Sequence, residues 1–222
     1  SMNQPSSHYL LGIDLAGPAA PQRTGVALFA AEGEGMRRLP AGCDGSDEGL
    51  RAQVAERAEE APVVVGIDAP LSYRPGGGQR EADAELRRVI QACGMHPGSV
   101  IPPTAPRMVY VTLRGVALAH ALTTIDAAHP VRVVEVHPGA TLCLRGAPLA
   151  AIRGFATDTA ARAELLQWLG GYGVNDLDPT ATESDHDVAA CAAALGARDW
   201  FADRPRWLHA ARPPWHPFDF AC

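Results

Sequence analysis

"VVVGIDAPLS", residues 63–72, runs apolar from Val63 to Ile67 and ends on a carboxylate, Asp68, before Ala69-Pro70 and a loop. An unbroken β-branched run of this length fits a central parallel strand covered on both faces. "LLGIDLAG", residues 10–17, has the same form and ends on Asp14. In open α/β sheets, sites lie outside the carboxyl ends of strands. Two buried strands that each deliver an acid at that end therefore point to a site as well as to a fold.

The rest of the chain is read outward from these two strands. Tyr9–Leu15 and "TGVALFAA" (24–31) are strands linked by a Gly/Pro-rich loop, and a weak third lies near Met36–Leu39. From Asp47 to Ala61 the pattern is helical, with Leu50, Val54 and Ala58 on one face. After the loop 70–78, a helix over 80–93 is terminated by Gly94. "MHPGSVIPPTAPR" (95–107) is too rich in proline for regular structure, and 109–124 reads as a further helix. "VRVVEVHP" (131–138) is a strand ending near Glu135, and helices follow over 157–169 and 184–199. The final stretch, with Trp200, Trp207 and Trp215 among prolines, reads as a strap over the body. The early strands are close enough for hairpins and the later ones need helical crossovers. The expected sheet therefore joins an antiparallel edge to a parallel centre in an α/β chain.

With 222 residues, 47% of them hydrophobic, the chain fits one packed domain over 9–222, with a helical insertion at about 70–129 and the strap at about 200–222. There is no run of membrane-spanning length and no signal-peptide pattern. Five scattered cysteines without metal-ligand spacing read as reduced thiols. Together these point to the cytoplasm and to no membrane partner, and no feature sets an oligomeric state. All 19 basic residues are arginine. The absence of lysine excludes a phosphate-binding P-loop lysine, a Schiff base and a Ser-Lys dyad. A nucleic-acid partner is open, but the net charge of −6 does not support it. The stretch 70–125 is locally positive, however, with Arg74, Arg80, Arg87, Arg88, Arg107 and Arg114 against Glu81, Asp83 and Glu85.

Asp14, Asp68 and Glu135 stand at expected strand ends, and Asp185 and Asp187 at the start of the last helix. Like charges gathered this way raise one another's pKa or recruit a cation. Mg²⁺ takes one or two carboxylates with waters and phosphates, and paired ions clamp both oxygens of a phosphoryl displacement. Each acid also has a structural role open to it. Asp14 and Asp68 could close Asx-turns, Glu135 could pair with Arg132 or Arg153, and Asp185 suits a helix N-cap. His137 lies just past a strand end and is a candidate site residue; no histidine spacing matches a zinc helix or finger.

"GIDLAG" (12–17), "GIDAPLS" (66–72), "RPGGGQREADAELRR" (74–88), "LRG" (113–115), "VVEVHPGA" (133–140) and "DHDVAACAAALGAR" (185–198) together resemble the domain-of-unknown-function 429 family, whose members are regarded as predicted nucleases with a ribonuclease H-like fold. The resemblance runs from Leu11 to about Arg198. It implies a five-stranded mixed sheet with helices on both faces and catalytic carboxylates at Asp14 and Asp68. A third would come from the last helix, where Asp187 matches the second acid of an Asp-x-x-Asp-Ala pattern. Ser184 replaces the first acid, and Asp185 is displaced by one residue, about 100° around a helix. Arg80 and Asp83 also match. They form an i,i+3 ion pair, or Arg80 reaches a substrate phosphate or carboxylate with Asp83 orienting it; Arg107 and Arg114 are similar candidates.

Three functions are open. The first is a metal-dependent nuclease or related phosphoryl-transfer enzyme using Mg²⁺ or Mn²⁺, with Asp14, Asp68 and Asp187 as ligands, Asp185 beside them and Glu135 as ligand or base. The second is a non-catalytic protein of the same fold that binds a small anion or a partner. The third is an actin-like ATPase or kinase, whose second lobe this length does not comfortably hold.

Overall fold

A computed structural model describes residues 7–181 and 183–222. The strands are β1 (Tyr9–Asp14), β2 (Gly25–Glu32), β3 (Gly35–Leu39), β4 (Val63–Asp68), β5 (Val131–Val136), β6 (Val174–Asn175), β7 (Leu208–His209) and β8 (Phe220–Ala221). The helices are α1 (Asp47–Ala58), α2 (Glu81–Ala92), α3 (Val109–Thr123), α4 (Pro138–Leu144), α5 (Leu149–Gly154), α6 (Thr159–Gly171) and α7 (Asp185–Phe201). All the strands join one sheet in the order β6-β3-β2-β1-β4-β5-β8-β7. β1, β4 and β5 run parallel to one another, β2 is antiparallel to β1, and β3 is antiparallel to β2.

The sheet has eight strands rather than the expected five. The five inner strands are those read from the sequence. The other three have two residues each and sit at the edges. β8 and β7 come from the Trp/Pro-rich tail, so the expected strap enters the sheet: Phe220 pairs with Glu135 in parallel, and the β7–β8 pair closes that edge. Trp207 packs edge-on against Phe220 and donates from its indole to Glu85 of α2.

Side-chain alternation along the strands fills two cores. Leu10, Val64 and Val134 face α2, α4, α6 and α7, whereas Leu11, Ile13, Val65 and Ile67 face α1 and α3. The first core depends on a seam of glycine. Gly12 and Gly66 are in register on β1 and β4. A Cβ at Gly12 would lie 1.8 Å from the Ala190 carbonyl oxygen, and one at Gly66 would lie 2.5 Å from that of Ala193. At Gly25, beside Asp14 on β2, a Cβ would meet the His186 carbonyl oxygen at 2.2 Å. The Ala-rich α7, buried from Val188 to Asp199, thus rests its backbone directly on the strands. That close approach sets the first turn of α7 beside the end of β1, where the acids are.

Candidate functional site

Asp14 and Asp68 end neighbouring parallel strands and are directly in register. Both open on a cleft of about 450 Å³ that Asp185 and His186 also line. His186 donates from Nδ1 to Asp14 Oδ2 at 2.7 Å, and its Nε2 stands 3.8 Å from Asp185 Oδ1. The Asp14 hydrogen bond raises the His186 pKa, and burial only partly opposes it. Burial pushes the Asp68 carboxyl well above the usual range, and the adjacent Asp14 and then Glu135 push it the same way. The in-register pair thus resists holding two negative charges, and Asp68 is the member pushed toward its neutral form.

Glu135 is committed elsewhere. Its two oxygens accept from Arg80, Nη2 to Oε1 at 2.7 Å and Nη1 to Oε2 at 2.9 Å, and Oε2 also accepts from the Leu71 backbone N–H at 3.2 Å. Arg80 further donates Nε to Asp83 Oδ2 and Nη2 to Asp83 Oδ1, at 3.0 and 2.8 Å, and Nη1 to Ser72 Oγ at 3.1 Å. All five of its N–H groups are therefore used. Asp83 also caps α2 by accepting the Arg80 backbone N–H at 2.8 Å. Burial raises the Glu135 carboxyl, and Arg80 pulls against that rise. The partners expected for Glu135 lie elsewhere: Arg132 stacks over Trp200, and Arg153 donates to the Gly94 carbonyl.

The network reaches the tail. The Ser72 hydroxyl, already an acceptor from Arg80, donates to His216 Nδ1 at 2.7 Å. Arg80, Glu135 and the Leu71 amide thus fix the loop that follows Asp68, and His216 pins the tail to that loop. Sequence reasoning does not single out His216. Its only signal there is one histidine among the prolines of the tail.

The structure separates the other candidates. Asp187 accepts from Arg38 of β3, Nη2 to Oδ1 at 2.9 Å, and does not line the cleft. Asp185 does line it, so the first turn of α7 presents to the cleft the acid that departs from the family spacing. Arg114 is buried and structural. It donates to Asp47, the Ala16 carbonyl, Thr24 and the Gly45 carbonyl, tying α3 to the loops around β1 and α1. Arg107 is exposed and outside the cleft lining. His137 lines the cleft as the N-cap of α4: its Nδ1 accepts from Ala140 N–H, and its Nε2 donates to the Ser99 carbonyl, each at 3.0 Å. Burial lowers its pKa, so it is a neutral structural group.

The donor set that faces the cleft is therefore Asp14 and Asp68, with Asp185 beside them. Among the described residues no three His, Cys, Asp or Glu side chains gather closely enough to cage a metal ion. Two carboxylates suit a hydrated Mg²⁺ or Mn²⁺, which needs only one or two. With respect to known proteins, the family described as "Protein of unknown function (DUF429)" matches residues 12–212. The chain belongs to that family. No curated protein and no solved structure matches it. Among the described residues no helix is long and apolar enough to cross a membrane.

Proposed function

We propose that this DUF429 member is a ribonuclease H-like phosphodiester hydrolase of the nuclease type that depends on Mg²⁺ or Mn²⁺. The observation that carries the reading is the Asp14–Asp68 pair, in register at the ends of parallel strands and open to the cleft. A bound cation would offset the charge of the pair and supply an activated water for attack on phosphorus. Asp14 and Asp68 would hold it, and the hydrogen-bonded loop after Asp68 keeps the second carboxylate in place. His186 donates from Nδ1 to Asp14 with its Nε2 turned toward Asp185, and so orients the Asp14 carboxylate. Glu135 acts through Arg80 and Leu71 as a positioning residue.

The fold part of the proposal is supported by the inner strands β3-β2-β1-β4-β5, which form a mixed sheet with helices on both faces. A second reading, a non-catalytic binding protein, is favoured by one observation. Asp187 and Glu135 are both spent on arginines, leaving three of the five expected carboxylates, Asp14, Asp68 and Asp185, on the cleft. Hydrolysis of a chromogenic phosphodiester and of single-stranded oligonucleotides with Mn²⁺ decides between them. Turnover should appear with Mn²⁺ and vanish in Asp14→Asn and Asp68→Asn. Turnover that persists in Asp14→Asn refutes the assignment.

A further inference from the structure

We infer that the cleft receives a phosphoester the size of a single nucleotide, with a flat ring against an apolar wall and its phosphate held through the cation; this rests on the cation reading above. The volume, about 450 Å³, lies in the range of small-molecule sites. The lining has two chemistries. Acids come from the ends of β1 and β4 and the start of α7. Met95, Val100, Ile101, Met108, Ile152 and Phe155 come from the segment after α2 and from α5 and its end. An apolar wall holding a phenyl ring and two thioethers is suited to a planar aromatic group. A ligand that also carries phosphate would place that end at the acids.

The cleft has little with which to hold a bare phosphate. Arg80 is the one arginine among the described lining residues, and its five N–H groups are taken by Asp83, Glu135 and Ser72. Both nitrogens of His137 are also taken, and His186 is bound to Asp14 between two acids. A protein that grips a nucleic-acid strand contacts successive phosphates with basic side chains. Here a phosphate meets carboxylates unless a cation stands between them, so ring recognition and phosphate recognition are separable.

Calorimetric titration of the full chain tests this in two steps. The first probe is Mn²⁺ alone, with wild type and Asp14→Asn. The second is adenosine monophosphate or ribose 5-phosphate, each with and without saturating Mn²⁺. The expected result is binding of adenosine monophosphate to the Mn²⁺-loaded protein at least tenfold tighter than without Mn²⁺ and at least tenfold tighter than that of ribose 5-phosphate. Ile101→Trp, which fills the apolar wall, should weaken adenosine monophosphate at least tenfold and leave Mn²⁺ within twofold. Equal affinity for the two phosphates on Mn²⁺-loaded protein, or nucleotide binding indifferent to Mn²⁺, overturns the inference while leaving the cation reading standing. Wild type that takes up no Mn²⁺ overturns both. The comparison of the two phosphates needs no variant, so it decides the matter even if Ile101→Trp misfolds.

Discussion

Replacing Arg80 with Met keeps the apolar length of the side chain and removes five donated hydrogen bonds: two to Asp83, two to Glu135 and one to Ser72. Asp83 is then left with the Arg80 backbone N–H and Glu135 with the Leu71 N–H, both carboxyls being almost fully buried. Stranding one partner of a buried ion pair costs about 3–5 kcal/mol. For a domain of this size each kcal/mol moves the midpoint by about 2–4 °C, so Tm should fall by roughly 6–20 °C. The loss has a pH signature. Burial already raises Glu135 and Arg80 opposes that rise, so without Arg80 the folded-state pKa climbs further. A carboxyl whose folded pKa exceeds its unfolded value binds more protons when folded. Stability then falls as pH rises from the unfolded pKa through the folded one. The gap between Arg80→Met and wild type should therefore widen from about pH 4.5 upward, starting near the ordinary glutamate pKa. Differential scanning calorimetry from pH 4.5 to 8 measures it. A Tm within about 3 °C of wild type at pH 8, or a gap unchanged by pH, would refute the reasoning, since a deficit of even 1 kcal/mol moves Tm that far.

Other outcomes follow from named contacts. Gly12→Ala forces a methyl against the Ala190 carbonyl on a helix backbone that has no rotamer to yield; it should cost about 3 kcal/mol or more by chemical denaturation, the upper end of overpacking. Asp187→Asn should leave Mn²⁺ affinity within twofold, because its partner is Arg38 rather than the cleft; a tenfold loss by calorimetry would return Asp187 to the site. His186→Gln should lower Tm relative to wild type most below about pH 6.5, the ordinary histidine value. That difference should shrink as pH rises through the raised pKa of His186, since the protonated form is the one Asp14 stabilises; a gap constant from pH 5.5 to 8.5 would contradict the Asp14 contact.

The inner sheet was legible because its signals are local. The apolar runs at 10–13 and 63–67 are long enough to mark buried strands, and the period of 47–58 marks an amphipathic helix. The strands β6, β7 and β8 were not legible, because two residues carry no periodicity and pair only once distant chain arrives. The helices α4 and α5, seven and six residues long, are too short to display a full helical pattern. At the site, Asp14 and Asp68 were readable from the strand form itself. Glu135 as a pairing residue was readable in kind, but its partner, Arg80, lies 55 residues away in sequence. Asp187 reads from sequence as a member of the acid cluster because nothing local reveals Arg38, which reaches it from a strand two places across the sheet from β1. The glycine seam was present in "GIDLAG" and "GIDAPLS" beside an alanine-rich helix, and only the register of β1 on β4 shows that these glycines admit that helix.

The central claim is that Asp14 and Asp68 share a cation in the cleft. Anomalous diffraction from a crystal soaked in Mn²⁺ tests it most directly. The expected result is a peak bridging the Asp14 and Asp68 carboxylates, with Glu135 still on Arg80 and Asp187 still on Arg38. A peak held by Asp187 or Glu135, or an Asp14–Asp68 pair left without metal while Mn²⁺ binds elsewhere on the chain, would contradict it.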